Sequence, residues 1–375
     1  MNHGSYRDTW VEVSMDAVES NVKTFKRHIQ RNSKLMAVVK ADGYGHGAVE
    51  VANAAIHAGA NYLGVAFLDE ALKLRESGIR TPILILGYSP PAAVGEAVKN
   101  DISITVYSDE SITEIINATK AYNKKAKIHL KIDSGMNRIG IRDKEEALRV
   151  SQSMLAFPDI ELEGIFTHFA DADHPESTYT YKQFNHFTAV IDYLEAHKID
   201  IPIKHCCNSA GTIAYPDLHM DMVRVGISLY GLYPSKHLQE KIQLKQAMSF
   251  KTKPVMIKIL GEDEPISYGR TYIPKHKSTI ATLPVGYADG FSRLLSNKGS
   301  VTVKGTHVPI VGRICMDQTM VDVTAVNTLN TNDVVTLFGD PEDGFISLGQ
   351  VAEQMDTIHY EVACLIGKRV PRVYL

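Results

Sequence analysis

The sequence has 375 residues, 44% hydrophobic and 22% charged, enough for two domains and a large buried core. A formal net charge of -3, with both signs well mixed, offers no basic face for nucleic acid and no acidic solvating tail. No apolar run approaches the ~20 residues of a membrane span, and the opening MNHGSYRDTW holds no signal-peptide core, so neither membrane nor secretory machinery is an expected partner and a cytoplasmic location is.

In chain order, the first predicted element is a helix with Val18, Val22, Phe25 and Ile29 on one face, Asp16 as its N-cap and Glu19 placed for a capping box. Met36 to Val39 is short, apolar and partly β-branched, which predicts a buried strand. Ala48, Val51, Ala52, Ala55 and Ile56 then recur at helical spacing until Gly59 ends the pattern. Further strand-like runs end near Phe67, Gly87, Tyr107, Asp133, Phe169, Asn208 and Val225, and amphipathic segments or polar turns fill nearly every gap. Eight alternating units over roughly 230 residues predict an α/β fold of the (β/α)8 barrel kind, better than an open doubly wound sheet.

The character changes after Tyr233-Pro234-Ser235. From Ala247 onward, extended runs such as SFKTKPVMIKIL, STIATLP and VVTLFG alternate with the turn-rich GEDEP, SNKGS and GDPEDG, and this half reads as all-β. The expected organisation is a barrel domain over 1–242, N-terminal extension included, and a mostly β-strand domain over 243–375. Cys206, Cys207, Cys315 and Cys364 form neither a disulfide framework nor a C-x-x-C spacing and read as reduced thiols.

Lys40 stands at the carboxyl end of the first barrel strand, where parallel α/β proteins bind ligands. Three explanations compete: a structural lysine snorkelling from a strand end, a nucleotide-binding turn, and a lysine that forms a Schiff base. Gly43, Gly45 and Gly47 give G-x-G-x-G rather than G-x-G-x-x-G, which weakens the second. A barrel would bring Lys40, Lys131, Asp133, His168, Asn208, Ser209, Arg224 and Gly226 to one end. The loops after the last two strands, NSAG and VGIS, offer a hydroxyl and free backbone N–H groups suited to a phosphate. Lysine and phosphate seat together describe pyridoxal phosphate. His168, Asp171, Asp173 and His174 are metal-binding residue types, but their spacing matches neither H-E-x-x-H nor a calcium loop, and no metal is expected.

The stretches AVVKADGYGHG, LKIDSGMNRIG, GIFTHFADAD, HCCNSAG, RVGISLYGLYP, ISYGRTY, LPVGYADGF, VGRICMDQ and TIHYEVACLIGKRVPR resemble alanine racemase in the same order, over both halves. The resemblance implies a homodimer with shared active sites and the interconversion of L-alanine and D-alanine for cell-wall peptidoglycan. By position, Lys40 would hold the cofactor and act as base on one face of the substrate, and Tyr268 of the partner subunit on the other. A phenol of ordinary acidity is a poor base near neutrality, and the resemblance assigns the remedy to a chain through His168 to Arg224. Arg224 would face the ring nitrogen; a guanidinium is no proton source, so the ring would stay neutral and favour racemisation over transamination.

The resemblance also gives the phosphate to Tyr44, Ser209, the backbone of Gly226 and Ile227, and Tyr360, with Asn208 beside them. The substrate carboxylate goes to Arg138 and to the backbone N–H of Met316 from the partner, next to Cys315 and Asp317. Tyr287 would line the entrance with the Tyr268 loop, and Lys131 matches a position carbamylated in some members, where the new anion orients Arg138. Departures from the family pattern are Asp42-Gly43 where Asn-Ala is common, Asn137 for Gly, Cys207 for Ala and His359 for Asn.

Two other classes of function, another enzyme of the same architecture and a non-catalytic carrier, fit parts of the pattern. A decarboxylase of basic amino acids, or a racemase acting on serine, would share the architecture, although ISYGRTY and GRICMDQ argue against the decarboxylase. A pyridoxal-phosphate carrier would need only a single barrel.

Overall fold

The computed structural model describes residues 6–175 and 177–375; the first five residues of the N-terminal stretch considered above lie outside them. The chain divides into two compact units, one of Val18–Gly43 and Ala48–Leu244, the other of the chain up to Ala17, Tyr44–Gly47 and Lys245–Leu375.

The strands are numbered from β1 (Thr9–Val13). The first unit holds β2 (Lys34–Val38), β3 (Tyr62–Val65), β4 (Ile83–Ile85), β5 (Ser103–Val106), β6 (Ala126–Lys131), β7 (Ile160–Phe166), β8 (Ile203–His205) and β9 (Met222–Val225). They form one parallel sheet in the order β8-β7-β6-β5-β4-β3-β2-β9. The ends of that row meet: Asp221 N–H donates to Lys204 O at 3.1 Å and Arg224 N–H to Cys207 O at 3.0 Å, so the sheet closes to a barrel. Each strand stops within three residues of its predicted end. Helices alternate with them because each buries an apolar stripe; in Ala48–His57 it is Val51, Ala52 and Ala55. Barrels of this kind commonly fill their interiors with branched aliphatic side chains. This one also buries Ser103, Thr105, His129, Lys131, His205 and Arg224, which therefore need polar partners.

The predicted first helix runs Met15–His28, and Val18, Val22 and Phe25 are fully buried. Its start differs from the expectation. Ser14 rather than Asp16 caps it, its hydroxyl accepting Ala17 N–H at 3.1 Å, because the helix follows directly on β1. Glu19 instead pairs with Lys23 one turn on, at 2.9 Å.

In the second unit β10 (Met248–Thr252), β11 (Met256–Leu260), β12 (Ser278–Leu283), β13 (Ser300–Val303), β14 (Thr306–Pro309), β15 (Thr319–Asp322), β16 (Val335–Phe338) and β17 (Arg372–Tyr374) join β1. They make a six-stranded sheet, β14-β13-β16-β10-β1-β17, and a three-stranded sheet, β11-β12-β15. Pro254 lies in the break that divides SFKTKPVMIKIL into β10 and β11. The half is not all-β: Leu348–Met355 and His359–Leu365 are helices, the first opened by a capping box between Ser347 and Gln350. No helix among the described residues is long and apolar enough to cross a membrane.

Candidate active site

Lys40 follows β2 at the carboxyl end of the barrel and opens an unusual turn. Ala41, Asp42, Gly43 and Tyr44 all have positive φ, at 52°, 51°, 63° and 52°, making one left-handed turn. Such a turn costs about 1–2 kcal/mol for each residue with a Cβ, so its surroundings must impose it. They do: Glu70 accepts Ala41 N–H at 2.6 Å and Ala66 N–H at 2.7 Å, while Asp42 accepts Ala48 N–H at 3.2 Å and the Lys73 ammonium at 2.8 Å. The departure Asp42-Gly43 is thereby explained, since glycine adopts this conformation freely and aspartate tolerates it.

β9 lies beside β2 with Arg224 opposite Met36. The buried guanidinium donates from Nη1 to His205 Nδ1 at 2.9 Å. From Nη2 it donates to Thr167 O at 2.7 Å, Cys206 O at 3.0 Å and His168 Nδ1 at 3.3 Å. Nε alone of its three nitrogens has no bond to a described residue. Burial pushes the group down to about 10, which still leaves it charged near neutrality. Burial and the nearby Arg224 cation hold His168 well below the ordinary imidazole range, hence neutral.

Lys131, at the end of β6, is fully buried over the Phe166 ring, 4.0 Å from its centroid. Burial, with Arg224 and Arg138 nearby, lowers its amine well below the ordinary lysine range. Lys131, Asp133, Arg138, Thr167 and His168 line one small pocket. The loop carrying Arg138 hangs on the Asp133 carboxylate, which accepts N–H bonds from Gly135, Asn137 and Arg138 at 3.1, 2.9 and 3.0 Å. Asn137 sits there at φ 56°, a conformation asparagine tolerates, so this departure keeps the loop geometry. On the other side Asn208 caps the helix Ser209–Ala214 through Gly211 N–H at 2.9 Å, and Ser209 Oγ accepts Gly226 N–H at 2.9 Å, just before the turn that begins at Ile227. Of the suggested metal cluster, Asp171 accepts a bond from Ser177 at 2.8 Å, and no metal-holding group of histidine, cysteine or acidic residues occurs among the described residues.

In the second unit Tyr44 and Tyr360 lie with ring centroids 6.3 Å apart. His359, a departure, packs its ring 4.9 Å from that of Tyr360. Tyr268 tips a tight hairpin whose base, Ile266 bridged to Tyr272, packs on Ile280 and Val311. The preceding Ser267 donates to Arg313 O at 2.6 Å and lies 3.6 Å from Cys315 Sγ. Tyr287 N–H donates to Cys315 O at 3.1 Å and Ala288 N–H to Met316 O at 3.0 Å. Arg369 joins Asp317 to the fully buried Asp289, at 2.7 Å each. Tyr268, Tyr287, Cys315, Met316 and Asp317 thus occupy loops tied to one another, and Tyr268 is 73% exposed.

Residues 13–234 match the alanine racemase N-terminal domain and 247–374 the alanine racemase C-terminal domain. The chain belongs to the alanine racemase family. It is 63% identical over 373 residues to alanine racemase 1 of Oceanobacillus iheyensis, covering 99% of each chain. Alanine racemase from Bacillus anthracis with bound L-Ala-P superposes with a TM-score of 0.93 at 42% identity, over 99% of this chain and 96% of that one. The Bartonella henselae alanine racemase with covalently bound pyridoxal phosphate gives 0.87 at 29% identity, over 98% and 99%.

The barrel residues of this alanine racemase family member fit pyridoxal phosphate. The Arg224 side chain is buried, and its Nε, with no bond to a described residue, suits an uncharged acceptor nitrogen, while Ser209 with the Gly226–Ile227 turn suits a phosphate. Strand-end reasoning missed His129, Glu163, Phe166 and His205, which lie deeper in the barrel around Arg224. The signal was present in KIHLK, where His129 and Lys131 alternate with Ile128 and Leu130 at strand period and so face the opposite side of the sheet.

Proposed function

We propose that this protein moves the α-proton of alanine between two bases on opposite faces of the substrate, Lys40 of one protomer and Tyr268 of the partner subunit. The enzyme is an isomerase that interconverts L-alanine and D-alanine, and it depends on pyridoxal phosphate. Its D-alanine serves peptidoglycan synthesis, the use typical of the family, and we assign the reaction to the cytoplasm.

The observation that carries the two-base assignment on the barrel side is Lys40 at the head of its enforced left-handed turn, just beyond the strand that pairs with the one bearing Arg224. One face is not enough: a single base returns the proton to the side it left. The exposed Tyr268, on loops shared with the half-exposed Tyr287 and the exposed Met316, is the group a second protomer would bury, which supports a homodimer with shared sites.

When bound, pyridoxal phosphate supplies a conjugated ring that draws electron density from the substrate Cα–H bond. Lys40 would hold it through its amine, and the same amine would take or return the proton on one face of the substrate. Tyr44, Ser209, the Gly226 and Ile227 backbone and Tyr360 would hold the phosphate, with Asn208 bracing Ser209's helix. Arg224 would donate a hydrogen bond to the ring nitrogen without giving up a proton. A ring nitrogen held in this way would stay unprotonated and would draw electron density only moderately, which would favour racemisation over transamination. His168 links Arg224 to Tyr268 of the partner subunit. Arg138 and the backbone of Met316 of the partner subunit receive the substrate carboxylate, with Cys315, Asp317 and Tyr287 shaping the approach. Burial and the nearby Arg224 and Arg138 favour the neutral amine of Lys131, the form that adds CO2, and the resulting carbamate would anchor Arg138.

The test is incubation of the holoenzyme in D2O with L-alanine and L-serine separately, alongside Lys40→Ala and Tyr268→Phe. D-alanine labelled at Cα, abolished in the first variant and severely reduced in the second, is the expected result. Full activity of Tyr268→Phe would remove the second base from the mechanism.

A further inference from the structure

Arg224 is the start of a buried chain that crosses the barrel interior. Its Nη1 donates to His205 Nδ1, His205 Nε2 lies 2.9 Å from His129 Nδ1, and His129 Nε2 lies 3.0 Å from Glu163 Oε2. Glu163 also accepts Tyr62 Oη–H at 2.5 Å and Ser103 Oγ–H at 2.6 Å. The protons in this chain have one consistent placement. A guanidinium only donates, so His205 Nδ1 accepts and its proton sits on Nε2; His129 Nδ1 must accept that proton and carries its own on Nε2, aimed at the carboxylate. Both imidazoles are neutral, and every bond runs from cation to anion.

Independent features hold this arrangement in place. β6 and β7 slip register between Ile128 and His129, so that Leu162 faces Ile128 while Gly164 faces His129. The extra residue is Glu163. Gly164 makes room for the imidazole: a Cβ there would stand 2.2 Å from His129 Nδ1. Phe166 stacks on His205, with centroids 4.8 Å apart and planes 6° apart. The charge states agree with the geometry. Burial keeps both imidazoles neutral, and on Glu163 the bonds from His129, Ser103 and Tyr62 outweigh burial and pull the carboxyl down to about 2.

We propose that Glu163 is a positioning residue for the racemase: through His129 and His205 it fixes the direction of the Arg224 guanidinium and balances its charge, leaving Nε to serve the cofactor ring. The side chain itself touches neither substrate nor cofactor in this role. It rests on the assignment of Arg224 to the ring nitrogen, so the experiment separates the two.

Holoenzyme labelled with 15N-histidine is compared as wild type, Glu163→Gln, Tyr62→Phe and Arg224→Lys. The readouts are histidine NMR, the visible absorption band of the bound cofactor against pH, and kcat and KM for L-alanine. The expected wild type shows His129 and His205 as neutral Nε2–H tautomers that do not titrate between pH 6 and 9. Glu163→Gln keeps an acceptor oxygen but loses the charge; its His129 Nε2 proton moves upfield, the absorption band shifts, and kcat falls about tenfold with KM within twofold of wild type. Tyr62→Phe removes a competing donor, concentrates charge on the bond to His129 and moves the same proton downfield. This second variant keeps the proposal open to refutation if Glu163→Gln fails to fold.

An Nδ1–H tautomer at either histidine in the wild type overturns the chain. A variant that only lowers the melting midpoint, with histidine signals, absorption band and kcat unchanged, reduces Glu163 to a structural role and overturns the proposal. If Arg224→Lys shifts the band and Glu163→Gln does not, the relay fails. If neither does, the assignment of Arg224 to the ring fails and takes the proposal with it.

Discussion

Gly43 and Gly45 lie two residues apart in the segment after Lys40, both with positive φ, and alanine should affect them very differently. At either position the left-handed backbone costs an alanine about 1–2 kcal/mol, offset by roughly 0.4–1 kcal/mol from a stiffer unfolded chain. At Gly43 the new Cβ meets Ala48 N at 3.3 Å and Ala48 Cα at 3.4 Å, tight but tolerable, so the net loss is about 1 kcal/mol. At Gly45 it would stand 2.4 Å from the Ala363 carbonyl oxygen, and relieving that overlap adds about 2 kcal/mol, for a total near 3 kcal/mol. Ala363 lies in the helix that carries Tyr360, whose ring is 6.3 Å from Tyr44, so its displacement should also weaken cofactor binding. Urea unfolding followed by circular dichroism and titration of the cofactor measure both effects. A Gly43→Ala loss equal to that of Gly45→Ala would refute the steric reasoning, since the backbone cost is common to both.

Three further outcomes follow from particular contacts. Ser14→Ala removes the cap of the first helix and should lower stability by about 1 kcal/mol in urea, whereas Asp16→Ala should cost less. Phe166→Ala empties the site between His205 and Lys131 and should cost about 3–5 kcal/mol, with the histidine signals shifted in NMR. At Asp289 burial is outweighed by Arg7 and Arg369, which lower the carboxyl. Its contribution is therefore present above the unfolded-state carboxyl range and lost as pH falls through the folded value. Asp289→Asn should flatten the acid limb of a melting-midpoint profile below about pH 4 and leave its alkaline side parallel to wild type.

The barrel was legible because each strand is a short apolar run ending in a polar or glycine-rich turn, and strand ends converge by topology alone. Lys40, His168, Ser209 and Arg224 could thus be chosen from one dimension. The left-handed turn was not legible, since Ala41 and Tyr44 carry no preference for it, whereas the N–H bonds that Glu70 and Asp42 accept help impose it. Glu163, His129 and His205 were passed over because strand-end reasoning looks at the mouth, and a register slip cannot be seen without the partner strand. The first helix was found but its cap misplaced, because Asp16 and Ser14 are both good caps and the end of β1 decides between them. In the C-terminal half, turn signals found the strands, while the apolar positions of Leu348–Met355 and His359–Leu365 were too few to announce helices.

β1 is paired on one side with β10, Val11 against Phe250, and on the other with β17, Val11 against Arg372. Both partners are translated long after it. At 5–20 residues per second the ribosome takes on the order of tens of seconds to deliver the second of them. Throughout that interval the backbone groups of Thr9 to Val13 lack their final neighbours, exposed to wrong pairing on crowded polysomes. A strand made early thus waits for one made much later, and a chain stalled before β17 would leave β1 itself as the open edge of the sheet, which quality-control proteases and holdases can recognise.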